Sequence, residues 1–361
     1  MKIILNQDGF SKALNSVARI ANSHSTLPIL NNILLRAENG VLQLNATNLE
    51  VFINNSITAK VEEDGVVLVP ANLITDFINN LPKTKITLKT KDGKLKIEAG
   101  NYKSTINTIS TDEFPAFPDD KLKTGFELDS ELFKTSAGQV LPATSNDTTR
   151  PILTGLYLHT FNDKLYLTAT DGYRLAEKQL IDKKTDINTI IPATTISEVV
   201  RVIESDQAIK VSLNDEQIKF EIGQITIISR LIDGNFINYR SLIPEKTDNS
   251  AEVDRSEFVQ AVKVAELFAR QSAESIILKT SSANKTLEIN TITSEFGDNN
   301  SEIEAEIVGD ASITLNAKYL LTALNAITGE KIKFSFSGKL APALLTGQDD
   351  SYKHIIMPVK S

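Results

Sequence analysis

The residues that most often carry out chemistry in proteins occur in this chain in a pattern that argues against catalysis. There are 46 carboxylates and three histidines but no cysteine, so no thiolate is present as nucleophile or metal ligand. His24, His159 and His354 lie far apart, without the spacing of four residues that pairs ligands on a helix. Adjacent acids such as Glu62-Glu63 fall in turn-like polar segments, and no glycine-rich phosphate loop occurs. The sequence therefore favours a non-catalytic protein without metal or cofactor.

The charged residues are separated along the chain. The net charge of −8 does not by itself suggest a nucleic-acid binder, because affinity for phosphate usually comes from a surplus of Lys and Arg. Seven lysines fall between Lys83 and Lys103, whereas seven acids and no base fall between Glu288 and Asp310. Either run alone could equally be a solvated strand face or a contact surface. Because the two runs have opposite sign and lie near opposite ends of the chain, we expect a head-to-tail contact between copies.

A sequence pattern recurs about every 122 residues, three times. Leu44-Asn45-Ala46-Thr47 returns as Leu167-Thr168-Ala169-Thr170, and Val69-Pro70-Ala71 returns as Ile191-Pro192-Ala193 before a second helical pattern. A unit of this length can bury a core of its own, so the period indicates tandem domains rather than a solenoid. We expect domains at residues 1–120, 121–246 and 247–361.

Each repeat combines two helical patterns with several runs of alternating polarity. Apolar residues at helical spacing are followed by period-two runs, among them the predicted strands Val51–Val61 and Ser104–Ser110. Helices and strands in separate runs are typical of an α+β fold. The six predicted helices are Phe10–Ala21, Leu73–Leu81, Ser130–Leu141, Thr195–Ile203, Arg255–Arg270 and Ala317–Ile327.

Targeting signals and membrane spans are not evident in the sequence. No stretch approaches the roughly 18 apolar residues of a membrane helix, and polar residues follow too soon after Met1 for a signal peptide. A chain without cysteine is compatible with a reducing compartment. We expect a cytoplasmic protein with no membrane partner.

Several short segments, taken in order and at matching spacing, resemble the bacterial DNA sliding clamp family, the β subunits of DNA polymerase III. The resemblance covers the whole length of the chain. It implies three tandem DNA-clamp domains, each with two helices and antiparallel sheets, and a ring of six domains formed by a head-to-tail homodimer. The segments that carry it are Ser25–Leu30, Ala169–Ala176, Asp233–Phe236 and Met357–Lys360.

The function implied by the resemblance is that of a replication processivity factor. Such a ring encircles double-stranded DNA without sequence preference, is not itself an enzyme and has no 3'-5' exonuclease activity of its own. The implied partners are the replicative DNA polymerase, the clamp loader and repair proteins, which bind through short peptide motifs. The alternative class is a three-domain α+β assembly or adhesion module without DNA in its centre.

Basic residues on the helices of all three repeats are the implied contacts to DNA, because helices line the hole of a clamp. Contacts to phosphate rather than to bases suit a protein that slides. His24 stands where the family usually has arginine, and Asp147 stands where a polar contact to DNA is usual. The candidates are Lys12, Arg19, His24, Lys134, Arg150, Arg201, Arg255, Lys263 and Lys318.

A partner-motif pocket is also implied by the resemblance, with adaptable apolar side chains on its walls. The sequence departs from the family at Ile237, where Pro is usual, at Ser241, where Arg is usual, and at Ser361, where an apolar residue is common. The candidates are Leu153, Gly155, Thr170, Gly172, Tyr173, Arg174, Leu175, Ile237, Leu242, Leu340, Ile355, Met357, Pro358 and Val359.

A subunit interface is the third implied surface. Leu267-Phe268 match an apolar pair that the family buries between subunits, and Lys103 and Ile106 would face this pair from the other copy. Acids near the end of the chain would add complementary charge, which aids register more than affinity. These acids are Glu295, Asp298, Glu302 and Glu304.

Overall fold

The computed structural model describes residues 1–22, 27–118, 122, 124–184, 186–204, 207–270, 274–291 and 297–359. Within these residues the α-helices are α1 (Gln7–Ala21), α2 (Ala71–Asn79), α3 (Ser130–Val140), α4 (Ala193–Val202), α5 (Arg255–Ala269) and α6 (Ala317–Ala326). The strands are β1 (Lys2–Asn6), β2 (Asn32–Glu38), β3 (Val41–Thr47), β4 (Val51–Thr58), β5 (Lys60–Glu63), β6 (Gly65–Pro70), β7 (Lys85–Lys91), β8 (Lys94–Ala99), β9 (Tyr102–Asn107), β10 (Thr124–Asp129), β11 (Gly155–Phe161), β12 (Lys164–Thr170), β13 (Arg174–Asp182), β14 (Asn188–Pro192), β15 (Ala208–Leu213), β16 (Gln217–Ile222), β17 (Ile225–Arg230), β18 (Asn249–Asp254), β19 (Ser275–Ser281), β20 (Thr286–Thr291), β21 (Asn300–Val308), β22 (Ser312–Asn316), β23 (Lys331–Phe336), β24 (Ala343–Thr346) and β25 (Tyr352–Ile356).

The order of these elements is the same three times. Each repeat runs from a strand through a helix, a group of strands and a second helix to three final strands, and the repeats comprise β1 to β9, β10 to β17 and β18 to β25. Neighbouring strands within a repeat pair antiparallel, as β3 does with β4 and β12 with β13. The predicted α+β fold with three tandem repeats is confirmed.

All six predicted helices are present, with ends that differ by at most three residues from the prediction. They form because apolar residues at helical spacing give each helix one face to bury. On α1, Phe10, Leu14 and Val17 are fully buried, while Lys12 and Arg19 remain exposed. On α5, the Asp254 carboxylate caps the helix by accepting from the backbone N–H of Ser256 at 2.8 Å.

Two strand predictions were wrong at their ends. The run Val51–Val61 is divided into β4 and β5, because the chain leaves β3 and pairs with β1 instead, where Ile3 lies opposite Val61. Ser104–Ser110 begins earlier and ends at Asn107, as β9. Two residues beyond Asn107 the chain has left β8 for β6, where the backbone N–H of Ile109 donates to the Leu68 carbonyl at 3.0 Å.

The described chain divides into two compact units, residues 1–131 with 198–231 and residues 132–197 with 232–361. The first unit holds a five-stranded sheet, in the order β5-β1-β7-β8-β9, and an eight-stranded sheet, in the order β10-β15-β16-β17-β4-β3-β2-β6. The second unit holds one twelve-stranded sheet, in the order β14-β11-β12-β13-β25-β24-β23-β18-β21-β20-β19-β22. No helix in the described ranges is long and apolar enough to cross a membrane.

Candidate functional site

The predicted pocket residues converge on the junction between β13 and β25. These strands pair antiparallel from Arg174 opposite Ile356 to Lys178 opposite Tyr352, which places Leu175 opposite Ile355. The pairing continues past the end of β25, because the backbone N–H of Met357 donates to the Tyr173 carbonyl at 2.8 Å. Residues far apart in sequence are thereby held on one sheet by backbone hydrogen bonds.

A tight turn at residues 170–174 forms one side of this junction. The Asp171 carboxylate accepts from the backbone N–H groups of Tyr173 at 2.9 Å and Arg174 at 3.0 Å. The Thr170 hydroxyl donates to the Arg174 carbonyl at 2.6 Å, which closes the turn. Gly172 has φ +93°, a backbone conformation that residues with a Cβ rarely adopt. The turn therefore presents Tyr173, whose side chain is 61% exposed, at its tip.

The apolar pocket candidates divide into a buried floor and an exposed rim. Leu175, Ile355 and Tyr239 form one buried cluster, against which Phe236 and Ile243 pack. The rim candidates are large apolar side chains that the chain leaves in solvent, an arrangement typical of a contact surface. They are Tyr173, Ile237, Leu242 and Leu340, the last of which is 76% exposed.

Other predicted pocket residues have structural roles at its margin. Leu153 is buried, and its carbonyl accepts from the Ser145 N–H at 2.9 Å. A Cβ on Gly155 would lie 2.6 Å from Ile190 and 2.8 Å from the Ile191 carbonyl, so only glycine fits there. The tail residues Met357, Pro358 and Val359 are half-buried, and the Val359 N–H donates to Thr314 at 2.9 Å.

Arg174 holds the turn together instead of standing free at the rim. Its Nε donates to Asp171 Oδ2 at 3.0 Å, and its guanidinium lies 4.6 Å from the centre of the Tyr319 ring. The Arg174 side chain is 14% exposed, so a charge reversal there would disrupt an internal ion pair and a cation–π contact. Sequence reasoning missed Tyr319, which lies on α6 and carries no motif of its own.

A buried polar network lies below the pocket floor, and sequence reasoning missed it as well. The Tyr239 hydroxyl donates to the Glu177 carboxylate and accepts from Thr168 at 3.2 Å. His159 Nε2 lies 2.8 Å from the same hydroxyl, and Arg240 forms an ion pair with Glu177 at 3.0 Å. The network fixes the segment 237–242, which bears the rim residues, to β11, β12 and β13.

Burial shifts the pKa values of His159 and Tyr239 in this network and of His354 nearby. The pKa of His159 is lowered to about 4, first because burial disfavours the charged form and then because Arg240 is nearby. The pKa of the Tyr239 phenol is raised by burial and by the Glu177 carboxylate. On β25, burial and then Arg174 lower the pKa of His354 to about 3. Both histidines are therefore neutral at pH 7.

The predicted DNA-contacting cations of the described residues lie on α1, α3, α4, α5 and α6 and on the loop before β11, but several are already engaged. Arg201 donates to the Ser16 carbonyl at 2.8 Å, and Arg255 donates to the Leu324 carbonyl at 3.1 Å. Lys134 and Lys263 are exposed. The remaining cations form ion pairs, Lys12 with Asp8, Arg19 with Glu198, Arg150 with Asp147 and Lys318 with Glu274. His24 lies outside the described residues.

The predicted subunit-contact residues that the structure describes lie on β9, on the end of α5, and on β21 or just before it. Leu267 is 58% exposed and Phe268 is half-buried, so an apolar surface is present at the end of α5. Ile106 is only 5% exposed and belongs to the core of its own repeat, which corrects the expectation that it faces Leu267-Phe268. β9 also exposes the aromatic side chain of Tyr102, which the sequence reading missed. Lys103, Asp298, Glu302 and Glu304 are exposed, and Glu295 lies outside the described residues.

Within the described ranges, no group of three or more His, Asp or Glu side chains is arranged to hold a metal ion. Carboxylates near the candidate pocket are used otherwise. Asp171 organises the turn, and Glu177 accepts a hydrogen bond from Tyr239 and pairs with Arg240.

Three tandem α+β repeats, joined through strand pairs between repeats, define a clamp-type repeat protein. Residues 1–118, 127–238 and 240–360 match the N-terminal, central and C-terminal domains of the DNA polymerase III beta subunit. The chain belongs to the DNA polymerase III beta subunit family.

Similar proteins support this assignment over the full length. The beta sliding clamp of Staphylococcus epidermidis is 29% identical, with 100% of both chains covered. The DNA polymerase sliding clamp of Bacillus subtilis has a TM-score of 0.95 at 26% identity, covering 100% of this chain and 99% of that one. The sliding clamp of Bartonella birtlesii, solved bound to griselimycin, has a TM-score of 0.95 at 28% identity with 100% of both chains covered.

Proposed function

We propose that two copies of this chain close head to tail into a ring of six domains that encircles duplex DNA and tethers DNA-processing proteins. As a member of its family, the chain is a replication processivity factor and acts without catalysis. The three domains would comprise residues 1–120, 121–246 and 247–361, and the ring would work in the cytoplasm. The observation that carries the proposal is a strand junction that occurs twice within the chain and has a third, unfilled position.

The first two junctions use the same strands of successive repeats. β17, the last strand of the second repeat, pairs with β4 of the first, with Ile225 opposite Asn55. β25, the last strand of the third repeat, pairs with β13 of the second, with Tyr352 opposite Lys178. Asn55 and Lys178 are equivalent positions, because their partners within the repeat are Leu44 and Leu167. The two junctions therefore share one register.

At the third junction, no strand among the described residues pairs with the outer side of β9. β9 is the last strand of the first repeat and lies at the edge of the five-stranded sheet. The equivalent acceptor strand is β21, where Ser301 pairs with Ile289 as Asn55 pairs with Leu44. β18 pairs with β21 only at residues 305–308. A second copy can supply β21 to β9 in the register of the other two junctions, with Tyr102 opposite Ser301.

Charge supports the same pairing. β7, β8 and β9 carry six of the seven clustered lysines, and β20 and β21 carry Glu288, Glu302, Glu304 and Glu306. Opposite charges across a contact steer encounter and suppress wrong registers. An unpaired strand edge is also a ready template for another strand. Closure at both ends of two such chains gives a ring.

Double-stranded DNA would pass through the ring and meet the cations of the helices. Lys134 on α3 and Lys263 on α5 are exposed. Diffuse contact with phosphate supplies affinity without sequence readout, which allows sliding. A ring that holds DNA topologically does not need tight contacts.

The partner-motif pocket would receive short peptides from the replicative polymerase, the clamp loader and repair proteins. The exposed apolar rim and the floor formed by the buried side chains of Leu175 and Ile355 suit a short peptide. Its apolar end would enter between the turn and the segment 237–242. The alternative of an assembly or adhesion module without DNA is not favoured, because the family match spans all three repeats.

Cysteine pairs test the proposed register, because the chain has no cysteine of its own. Lys103→Cys with Asn300→Cys places two thiols on residues that the register makes direct partners. We expect oxidation to give a covalent dimer on a non-reducing gel, since directly opposed strand residues have Cβ atoms about 4.5–5.5 Å apart.

Lys103→Cys with Asn299→Cys is the matched control. A shift of one residue moves the second thiol to the other face of the sheet, so this pair should stay monomeric on the gel. Equal crosslinking of both pairs, or of neither, would overturn the proposed register.

A further inference from the structure

The eight-stranded sheet carries an open cavity of about 350 Å³ in the first repeat. Its floor is formed by β2, β3 and β4, and its wall by the segment 111–117. Phe52, Phe114 and Phe117 contribute aromatic surface, and the Phe52 and Phe117 rings meet edge to face at 6.1 Å between centroids. All of these residues belong to the first compact unit, so the cavity shares no residue with the partner-motif pocket.

The same place in the second repeat is filled by side chains. The Tyr157 ring stacks on His159 at 4.3 Å and on Phe236 at 4.6 Å, and the Arg240 guanidinium lies 4.5 Å from the centre of the Tyr166 ring. Equivalent strand positions of the two repeats differ by 123 residues, as for Asn55 and Lys178. The first repeat thus has Leu34, Gln43 and Asn45 where the second has Tyr157, Tyr166 and Thr168. Loss of two tyrosines opens the cavity.

In the part of the chain that the structure describes, the cavity lining carries positive charge and no negative charge. Arg36, on β2, is the single charged residue that lines the cavity among the described residues. It is exposed, and in the part of the chain that the structure describes it has no ion-pair partner. In the second repeat, Glu177 neutralises the cation Arg240. In the first repeat the position equivalent to Glu177 is occupied by the neutral residue Asn54, so no carboxylate stands there. A carboxylate that enters the cavity would supply the missing anion.

The amides at the cavity suit an extended backbone. Gln43 and Asn45 alternate on β3 and are half-buried, with Asn45 held by a 2.9 Å hydrogen bond from Asn54. Side-chain amides offer both donors and acceptors, and peptide N–H and C=O groups need both. Aromatic walls, one free cation and two amides together match a peptide that places an aromatic side chain beside an acidic one.

We propose that this cavity is a second peptide-binding site, which takes a short segment of a partner protein carrying an aromatic residue next to an acidic residue. The aromatic side chain would enter between Phe52, Phe114 and Phe117. The neighbouring carboxylate would pair with Arg36. The site acts independently of the partner-motif pocket, because the two belong to different units and are built from different residues.

The test uses a peptide that reports on itself. The chain contains no tryptophan, so the fluorescence of acetyl-Ser-Gly-Asp-Trp-Gly-Ser-amide reports peptide binding alone. The titration uses the full chain and, in parallel, a chain lacking residues 357–361, so that binding at the partner-motif pocket is recognised separately. We expect the same dissociation constant for both, tighter than about 1 mM. The same peptide with Lys in place of Asp should bind at least tenfold more weakly.

Three variants locate the site. Arg36→Glu reverses the lining charge, and Gln43→Tyr introduces the side chain that fills the second repeat. Both changes are on the sheet surface and should leave thermal unfolding unchanged while weakening the Asp-Trp peptide at least tenfold. Lys210→Glu, at an exposed residue of β15 in the same sheet, makes the same charge change outside the cavity and should bind like the unaltered chain.

Several results would overturn the proposal. One is no saturable binding of the Asp-Trp peptide by the unaltered chain. Another is equal binding by Arg36→Glu, Gln43→Tyr and Lys210→Glu. Binding that disappears when residues 357–361 are removed would assign the peptide to the partner-motif pocket instead.

Discussion

Leu175 lies directly opposite Ile355 where β13 pairs with β25, and both side chains are buried. The equivalent pair in the other internal junction is Phe52 opposite Ile228. The same kind of strand junction therefore occurs at two related surfaces, the partner-motif pocket and the open cavity of the first repeat. Their differences come from the side chains around the junction, since the backbone pairing is the same.

The partner-motif pocket is tested by truncation of its exposed rim. Tyr173→Ala and Leu242→Ala remove apolar surface that solvent already reaches, so folding should be unaffected. Binding of a labelled Gln-x-x-apolar-Leu/Phe peptide should weaken about tenfold or more for each, because buried aromatic and aliphatic anchors dominate such contacts. Leu73→Ala, an exposed residue of α2, is the matched control. Affinities are measured by fluorescence anisotropy for the three variants and the unaltered chain. The same affinity for all four proteins would place the pocket elsewhere.

The subunit contact is tested at the end of α5. Leu267→Ala with Phe268→Ala removes two apolar side chains that the single chain leaves exposed or half-buried. Burying one such side chain stabilises a contact by about 1.5–3 kcal/mol, so the dimer should dissociate at much higher concentration. Sedimentation velocity over a dilution series measures this shift. Dimers as stable as those of the Leu73→Ala control would contradict the assignment.

The network below the pocket floor is expected to hold the segment 237–242 in place. Glu177→Gln removes the anion that pairs with the half-buried Arg240 and accepts from Tyr239, and loss of these partners should cost about 1–3 kcal/mol of unfolding free energy. Tyr239→Phe removes one hydroxyl and should cost about 1–3 kcal/mol. Urea unfolding gives both values, with exposed Glu245→Gln as the control. A Glu177→Gln chain as stable as the control would show that the network does not stabilise the fold.

The buried histidines predict how stability changes with pH. In the folded chain the pKa of His159 is about 4 and that of His354 about 3, both below the ordinary value of 6.5. The unfolded chain therefore binds more protons between these values and pH 6.5, so stability is complete above pH 6.5 and is lost as the pH falls. Unfolding free energy measured from pH 7 to 4.5 should decline, and the decline should be smaller in His159→Gln with His354→Gln. A double variant with the same slope would contradict this account.

The sequence predicted the repeated elements because their cause is local. Apolar periodicity places all six helices, and glycine at Gly172 marks the turn that needs positive φ. The network of Tyr239, Glu177 and His159 was not predictable, because its members come from three separate segments without a motif. Ile106 was misplaced for a similar reason, since an apolar residue on a strand can face its own core or a partner.

The cavity of the first repeat escaped sequence reasoning because it depends on what is missing. Leu34 and Gln43 are ordinary strand residues, and only their comparison with Tyr157 and Tyr166 shows that the space between sheet and wall is unfilled. The shared register of the junctions likewise needed the strand pairs themselves.

The central claim, a ring closed around DNA, is tested most directly by topological retention. Lys103→Cys with Asn300→Cys is assembled on a circular plasmid under reducing conditions, oxidised, and passed through a sizing column in high salt, which removes ordinary phosphate contacts. We predict that the crosslinked protein elutes with the circle and is released when one restriction cut makes the plasmid linear. Release from the uncut circle, or retention on the linear DNA, would contradict the ring.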